Sequence, residues 1–287
     1  MPRKKAVHHP IGAHVPVGGG LVKRGIPNAL EFEVEALQVF IGSPRGWAPP
    51  RLDAAVAEAF RDECTAQGWP VYVHAAYLLN LASPVPETVE RSVENLRVAM
   101  TSAARIGAAG VVVHAGSSID GDRDAALRRL PSAFHAVLDD APPVRLLVEP
   151  TAGGANSMAS TLASAGEYLE AVGIPEVGLC LDTCHLHAAG ERLSDRDGLE
   201  ASLKALGKAV GSDRIGLIHF NDSKDACDSR RDRHEALGEG LLGDDGLKAV
   251  MASPALAGVP LIVETATQAR DVAHAKRLLA EVQSERS

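Results

Sequence analysis

Eight short apolar runs recur along the chain, and longer amphipathic segments separate them. The runs occupy residues 11–15, 37–41, 71–74, 111–114, 146–149, 177–182, 215–219 and 261–264. A β-strand that is buried on both faces reads as a continuous apolar run of this kind. The segments that begin at Thr88 and Asp122 space their apolar residues by three and four, which makes one face of a helix. The alternation predicts an α/β fold, a single (β/α)8 TIM barrel.

The chain has 287 residues and no linker or low-complexity tract, which predicts one barrel domain over residues 11–287. Residues 1–10 are basic but lack the apolar segment of a secretory signal, so we expect a short disordered arm there. No apolar stretch is long enough to suggest a membrane span. The four cysteines show no paired spacing, and we expect buried free thiols in a reducing cytoplasm.

Residues with metal-ligand chemistry stand at the ends of six successive runs, and three more follow in the connecting segments. In a barrel of parallel strands, the carboxyl ends of the strands meet on one face. Without cations, so many buried carboxylates would repel one another. We therefore predict a metal site made by His74, His114, Glu149, Asp182, His185, His219, Asp232, His234 and Glu264. Four further histidines are expected to be ordinary hydrogen-bonded residues: His14, His135, His187 and His274.

Local spacing supports this site. Asp182 and His185 are three residues apart where a strand gives way to a turn, and Asp232 and His234 alternate along an extended segment. Mixed imidazole and carboxylate ligands favour Zn²⁺, with Mn²⁺ or Fe²⁺ as competitors. So many ligands with one shared carboxylate fit three ions per chain. Such a cluster suits hydrolysis of a phosphate ester, because it makes hydroxide at neutral pH and neutralises the phosphate oxygens.

The formal net charge of −8 at first argues against a nucleic-acid substrate. Bound divalent ions would offset most of this charge, and such ions dominate the local field. An acidic chain of this kind would bind DNA through a local positively charged rim and not through an overall basic surface.

Four blocks of the sequence resemble the endonuclease IV family of apurinic/apyrimidinic endonucleases, which are zinc-dependent DNA-repair enzymes on a TIM barrel. The blocks are residues 74–81 (HAAYLLNL), 177–185 (VGLCLDTCH), 219–224 (HFNDSK) and 229–240 (SRRDRHEALGEG). The likeness runs from residue 11 to residue 265, almost the whole chain. The resemblance implies that Glu149 bridges two of three zinc ions and lies beside the attacking hydroxide. The ligand sets that it implies are His74 and His114 for the first ion, Asp182, His219 and Glu264 for the second, and His185, Asp232 and His234 for the third.

The resemblance also implies a substrate. The reaction would be hydrolysis of the phosphodiester 5′ to an abasic site, leaving a 3′-hydroxyl, together with removal of blocking groups from 3′ ends. The partner is then double-stranded DNA with such lesions, at the nucleoid in the cytoplasm, and a monomer is our default. Side chains that enter the DNA at the lesion correspond to Arg45, Tyr77 and Leu78, since a wedge can fill the gap left by a missing base. Candidate phosphate contacts are Lys224, Arg230 and Arg233.

Three positions depart from the family pattern. Pro16 stands where a small polar residue is usual, Ala115 replaces a proline after the histidine, and Pro150 replaces an asparagine after the bridging glutamate. None of these removes a ligand, but Pro150 is placed to change hydrogen bonds to the ligands.

Two other functions remain open from the sequence alone. Related barrels with His, Asp and Glu ligands are sugar isomerases or epimerases, although those sites generally need fewer ligands and a lysine or carboxylate for proton transfer. A non-catalytic lesion-binding protein with structural metals is the second alternative. The Asp232–His234 pair and a third ion favour phosphodiester cleavage.

Overall fold

A closed barrel of eight parallel strands forms the centre of the molecule, as the alternating pattern predicted. The computed structural model describes residues 8–285. The barrel strands are β1 (Ile11–His14), β2 (Ala36–Val39), β3 (Val71–His74), β4 (Gly110–His114), β5 (Arg145–Glu149), β6 (Gly178–Asp182), β7 (Ile215–His219) and β10 (Leu261–Val263). Two short strands outside the barrel are β8 (Asp222–Ser223) and β9 (His234–Glu235). The barrel order is β1-β10-β7-β6-β5-β4-β3-β2, and all neighbouring strands in it are parallel.

Helices connect the strands and cover the outside of the barrel. They are α1 (Ile26–Glu31), α2 (Ala54–Gln67), α3 (Pro86–Arg105), α4 (Arg123–Leu138), α5 (Leu162–Val172), α6 (Thr183–Ala188), α7 (Arg196–Val210), α8 (Gly243–Ala252) and α9 (Gln268–Ser284). The carboxylates of Asp53, Asp122 and Asp195 accept backbone N–H groups at the first turns of α2, α4 and α7. Such N-caps satisfy donors that the helix itself leaves unpaired. None of the helices in residues 8–285 is long and apolar enough to cross a membrane.

The inside of the barrel is built in two levels. The lower level is an apolar cluster of seven buried residues: Ala36, Tyr72, Val112, Leu147, Cys180, Leu217 and Ile262. Side chains of a strand alternate between its faces, so the residue two positions further on each strand also points inward. At that position seven strands carry a polar residue, with Gly12 taking the lower position on β1, and on β10 the position falls on Glu264, directly after the strand. We call this level the polar ring: His14, Gln38, His74, His114, Glu149, Asp182, His219 and Glu264.

Strand β1 approaches β2 so closely that only glycine fits at position 12. A Cβ atom built on Gly12 would lie 1.6 Å from the carbonyl oxygen of Ala36. The close approach brings the end of β1 beside the end of β2, where His14 pairs with Gln38 in the ladder. Two members of the polar ring are therefore held next to each other by backbone packing.

The segment that we predicted as a disordered arm lies mostly outside the described residues. Residues 1–7 are not described, and His9 near its end is fully buried against the barrel. The His9 Nδ1 atom lies 2.8 Å from the carbonyl oxygen of Val259, and Nε2 lies 3.2 Å from that of Met251. The described part of the chain therefore begins against the barrel wall.

The polar connection after β7 contains regular structure. Strands β8 and β9 pair in it as an antiparallel ladder, and α8 begins inside it at Gly243. The buried Asp222 carboxylate accepts five backbone N–H groups, from Ser223, Gly238, Gly240, Leu242 and Gly243, at 2.8–3.1 Å. One carboxylate thus fixes both ends of the segment that carries Asp232 and His234.

Candidate metal centre

The carboxyl end of the barrel places the nine predicted ligands around one centre. Five of them end strands β3 to β7, and Glu264 directly follows β10. His185 lies on α6, which begins immediately after Asp182 and not in a turn as predicted. The Asp182 carboxylate caps this helix by accepting the backbone N–H of His185 at 2.9 Å. The N-cap therefore joins ligands from two predicted sets.

Glu149 lies at the middle of the cluster and is 1% exposed. Its Oε2 atom faces His74 Nε2 at 3.2 Å and His114 Nε2 at 3.5 Å. Its Oε1 atom faces His219 Nδ1 at 3.1 Å and His185 Nδ1 at 3.2 Å. The two oxygens point to opposite sides, which is the arrangement that a bridging carboxylate needs.

The second group consists of Asp182, His219 and Glu264, whose ligand atoms lie within 4.8 Å of one another. His219 Nδ1 lies 3.2 Å from Glu264 Oε2 and 4.0 Å from Asp182 Oδ2. The three residues lie at the ends of adjacent strands, with Glu264 directly after its strand, because β7 lies between β6 and β10 in the barrel. The set matches the one that the resemblance implied for the second ion.

The third group combines one helix residue with two from the β8–β9 connection. Asp232 Oδ1 lies 3.2 Å from both His185 Nε2 and His234 Nε2. His234 Nε2 also lies 3.6 Å from Asp182 Oδ2, which links this group to the second one. No sequence pattern pointed to Cys184, but its sulfur lies within 4.8 Å of ligand atoms of Asp182 and His234.

Hydrogen bonds to backbone carbonyls select the nitrogen that two of the imidazoles offer to the centre. His74 Nδ1 lies 2.7 Å from the carbonyl oxygen of Ala75, and His185 Nδ1 lies 3.0 Å from that of Pro150. A carbonyl accepts a hydrogen, so each Nδ1 carries the proton and Nε2 is free to bind a cation. Pro150 serves here through its carbonyl oxygen, which any residue supplies. The departure from the family pattern at this position therefore costs no hydrogen bond of that kind.

Burial and charge shape the protonation of the cluster. Burial lowers the pKa of His114 to about 4, so its imidazole is neutral near pH 7. Burial opposes charge at Glu149, but nearby His219 and His114 outweigh it and hold the pKa of the carboxyl well below its usual range. Burial also opposes charge at His219, where Cys180, Glu264 and Glu149 raise the pKa well above its usual value. Cation binding at His219 would therefore displace a proton.

The donor set fits divalent metal ions. Two fully buried carboxylates, of Glu149 and Asp182, converge with the partly buried carboxylate of Glu264, and their ion-pair partners in residues 8–285 are all imidazoles. His234 Nε2 is buried and has no hydrogen-bond partner, although it faces the carboxylates of Asp182 and Asp232. Buried charge without compensation is costly, and cations remove that cost. Oxygen and nitrogen donors of this kind suit zinc or similar ions.

The predicted DNA-entering residues lie beside the centre. Tyr77 and Leu78 follow β3 and are 43% and 38% exposed, and Arg45 is exposed in the loop after β2. The backbone N–H of Tyr77 donates to the Pro44 carbonyl at 2.9 Å, which joins the two loops. The Tyr77 ring stacks on His114 with centroids 5.4 Å apart. The exposed Tyr77 therefore borders a candidate metal ligand.

The candidate phosphate contacts are already paired with carboxylates. Lys224 lies 3.8 Å from Glu235, and Arg230 lies 3.5 Å from Asp228. The guanidinium of Arg233 donates to Asp225 at 2.7 Å. These cations are half-exposed, so a phosphate would compete with a local acidic partner at each of them.

The four histidines that we expected to be ordinary hydrogen-bonded residues all have polar contacts, but their places differ. His187 and His274 are buried and meet the Asp225 carbonyl at 3.2 Å and the Asp244 carboxylate at 2.7 Å. His135 is largely exposed and lies 3.4 Å from Asp139. His14 belongs to the polar ring, with Nδ1 3.0 Å from Glu264 Oε1. His14 is thus hydrogen-bonded as expected, whereas Gln38 beside it was not among the candidate site residues. Counting two residues beyond the inward apolar position of each strand would have found Gln38.

Known proteins are similar to this chain in sequence and in architecture. The profile of the xylose isomerase-like TIM barrel matches residues 26–282. A probable endonuclease 4 of Streptomyces coelicolor is 46% identical over 281 residues, which covers 94% of this chain and 95% of the relative. The crystal structure of endonuclease IV from Thermus thermophilus is 34% identical and superposes with a TM-score of 0.81, over 96% of this chain and 99% of that one.

A sugar-epimerase structure shares the architecture at much lower identity. A D-tagatose 3-epimerase-like protein superposes with a TM-score of 0.73 at 17% identity, over 96% of this chain and 97% of that chain. This likeness is one of fold. The relatives that are 34–46% identical over most of their length are all described as endonuclease 4 or endonuclease IV. The chain belongs to the endonuclease IV family of apurinic/apyrimidinic endonucleases.

Proposed function

We propose that this protein is a zinc-dependent DNA-repair endonuclease that hydrolyses the phosphodiester 5′ to an abasic site and leaves a 3′-hydroxyl. The observation that carries the proposal is the position of Glu149, whose two oxygens face two groups of ligands at 3.1–3.5 Å, with a third group alongside. Three ions per chain fit this arrangement, with zinc preferred over Mn²⁺ and Fe²⁺. Removal of 3′-phosphate and other blocking groups would use the same centre.

The residues of the chain would divide the work between the metal centre and its rim. Bound divalent ions would supply hydroxide at neutral pH and neutralise the non-bridging phosphate oxygens. Glu149 would hold the nucleophile in line with the phosphorus, because it lies between the ligand groups and is buried from bulk water. Tyr77, Leu78 and Arg45 would hold the DNA open at the lesion, since they stand exposed at the rim. The scissile phosphate would then lie over the centre.

The proposal covers partner and place as well. The substrate would be duplex DNA with abasic sites or blocked 3′ ends, acted on by a monomer in the cytoplasm at the nucleoid. Lys224, Arg230 and Arg233 would contact phosphates after exchanging their carboxylate partners for the DNA backbone.

Incubation of the zinc-loaded protein with a duplex that holds one abasic site tests the proposed function. We expect a single cut on the 5′ side of the lesion and a 3′ end that a polymerase extends directly. An otherwise identical undamaged duplex is the control and should stay intact. Binding of the abasic duplex without cleavage, at full metal occupancy, would favour the lesion-binding alternative. If the duplex stayed intact and the protein instead interconverted ketoses, the epimerase alternative would be favoured.

A further inference from the structure

Two members of the polar ring, His14 and Gln38, are not candidate metal ligands. Gln38 is fully buried on β2, between the outward-facing Leu37 and Val39. A buried amide has two donors and an acceptor that need partners. In this structure the partners of Gln38 are side chains of the polar ring itself. The amide therefore connects directly to the metal centre.

The oxygen of the amide faces His219. Gln38 Oε1 lies 2.9 Å from His219 Nε2, and an amide oxygen only accepts hydrogen bonds. The hydrogen must then sit on His219 Nε2, and in a neutral imidazole the lone pair is left on Nδ1. That Nδ1 is the atom that lies 3.1 Å from Glu149 Oε1 and 3.2 Å from Glu264 Oε2. Gln38 thus selects the nitrogen that can bind an ion.

The nitrogen of the amide faces Glu264. Gln38 Nε2 donates to Glu264 Oε1 at 2.8 Å, and His14 Nδ1 lies 3.0 Å from the same oxygen. Two donors on Oε1 leave Glu264 Oε2 as the oxygen directed towards His219 Nδ1. Rotating the amide by half a turn would place its oxygen against the carboxylate and its N–H groups against the imidazole N–H. Only the present orientation satisfies both neighbours.

We propose that Gln38 is a positioning residue that presents His219 Nδ1 and Glu264 Oε2 to one ion, the one held with Asp182. The inference rests on the proposed metal centre and adds a residue that selects ligand atoms within it. A purely structural glutamine would stabilise the barrel without favouring one ion over the others. Partners of this kind change metal affinity by about 10–100-fold. The effect should fall on one ion of three, because Gln38 contacts ligands of that group alone among the three ligand groups.

Two variants separate the two contacts of the amide. Gln38→Leu removes both the acceptor for His219 and the donor for Glu264 at similar volume. Gln38→Glu keeps an acceptor for His219 but removes the donor and adds a negative charge beside Glu264. Tyr72→Phe is the matched control, because it deletes another buried hydrogen bond inside the barrel, from the hydroxyl to the Gly216 carbonyl at 3.3 Å. Thermal unfolding of all variants checks that the fold persists.

The first measurement is zinc content by elemental analysis after equilibration in buffers of graded free zinc. For Gln38→Leu we expect one ion to bind about 10–100-fold more weakly while the other two bind as in the parent chain. Gln38→Glu should give a smaller loss at the same ion, and Tyr72→Phe none. Equal zinc affinities in Gln38→Leu and the parent chain would overturn the inference about Gln38 but leave the proposed function standing. Failure of the parent chain to bind zinc would count against the proposed function as well.

The second measurement reports on His219 without reference to activity. In the zinc-loaded protein with ¹⁵N-labelled histidine, the His219 Nε2–H should give a signal protected from exchange with water. We expect this signal in the parent chain, in Tyr72→Phe and in Gln38→Glu, and its loss or rapid exchange in Gln38→Leu. An unchanged signal in Gln38→Leu would show that another group fixes the ring, and the inference would fall.

Discussion

Glu149 shows how much one side chain contributes to this site, since four imidazoles from four elements surround its two oxygens. Glu149→Gln keeps the shape but replaces one oxygen by an amide nitrogen that cannot bind an ion. We expect cleavage of abasic DNA to fall by at least about 1,000-fold, because the nucleophile and its bridging ligand are lost together. Binding of the same duplex should remain measurable in a gel-shift assay.

Glu167→Gln is a suitable control for that experiment. Glu167 pairs with Arg123 at 2.8 Å on the outside of the barrel, so its loss should leave turnover unchanged. Cleavage by Glu149→Gln near the parent rate would remove Glu149 from the catalytic role.

The cysteines make a second prediction at the scale of single residues. Burial raises the pKa of Cys64, Cys180 and Cys184 to about 12 each. A raised thiol pKa leaves less reactive thiolate at a given pH, and the three side chains are also shielded. At pH 8 we expect a thiol reagent to label the folded protein quickly at Cys227 only, and all four cysteines after denaturation. Cys227→Ser should abolish the fast phase, and a fast phase of two or more thiols would contradict the burial.

At the scale of elements, the β8–β9 connection depends on Asp222. Asp222→Asn leaves backbone N–H groups facing an amide nitrogen, and we expect a loss of about 2–4 kcal/mol in the free energy of unfolding. Because the connection carries Asp232 and His234, the third ion should also bind more weakly. Urea unfolding and zinc titration measure the two effects.

The same connection supplies a matched variant. Asp228 is exposed and adopts a positive φ of 64° that asparagine tolerates, so Asp228→Asn should change stability by less than about 0.5 kcal/mol. If the two variants unfolded at the same urea concentration, Asp222 would not be the anchor of this segment.

The elements show which parts of the molecule a single sequence reveals. The strands were predictable because burial on both faces leaves an unbroken apolar run, and the ligands were predictable because they end those runs. The anchoring role of Asp222 was not predictable, since its hydrogen-bond partners lie up to 21 residues away and no local pattern marks them. Gln38 was not singled out, because an amide is not a usual zinc ligand and the apolar neighbours Leu37 and Val39 dominate the run; only its register, two residues beyond the inward Ala36, marks it. His185 was placed in a turn because α6 is too short to show a helical period.

At the scale of the whole molecule, an acidic chain should bind DNA through few cations. The predicted phosphate contacts are Lys224, Arg230 and Arg233, which already face carboxylates, and Arg45 is a fourth cation predicted to enter the DNA. Four neutralised phosphates correspond to a slope of about −4 or shallower in a plot of log affinity against log salt concentration. Fluorescence anisotropy with an abasic duplex and the Glu149→Gln variant measures the slope. A much steeper slope would show that a wider basic surface takes part.

The two levels inside the barrel have a consequence for how such enzymes diversify. The apolar level seals the barrel beneath the polar ring, so exchange of ring residues leaves the hydrophobic seal in place. Stability therefore depends on the apolar cluster and chemistry on the polar ring, although the same strands carry both. Substitutions in the polar ring can change the chemistry one strand end at a time, while the apolar cluster keeps the barrel folded.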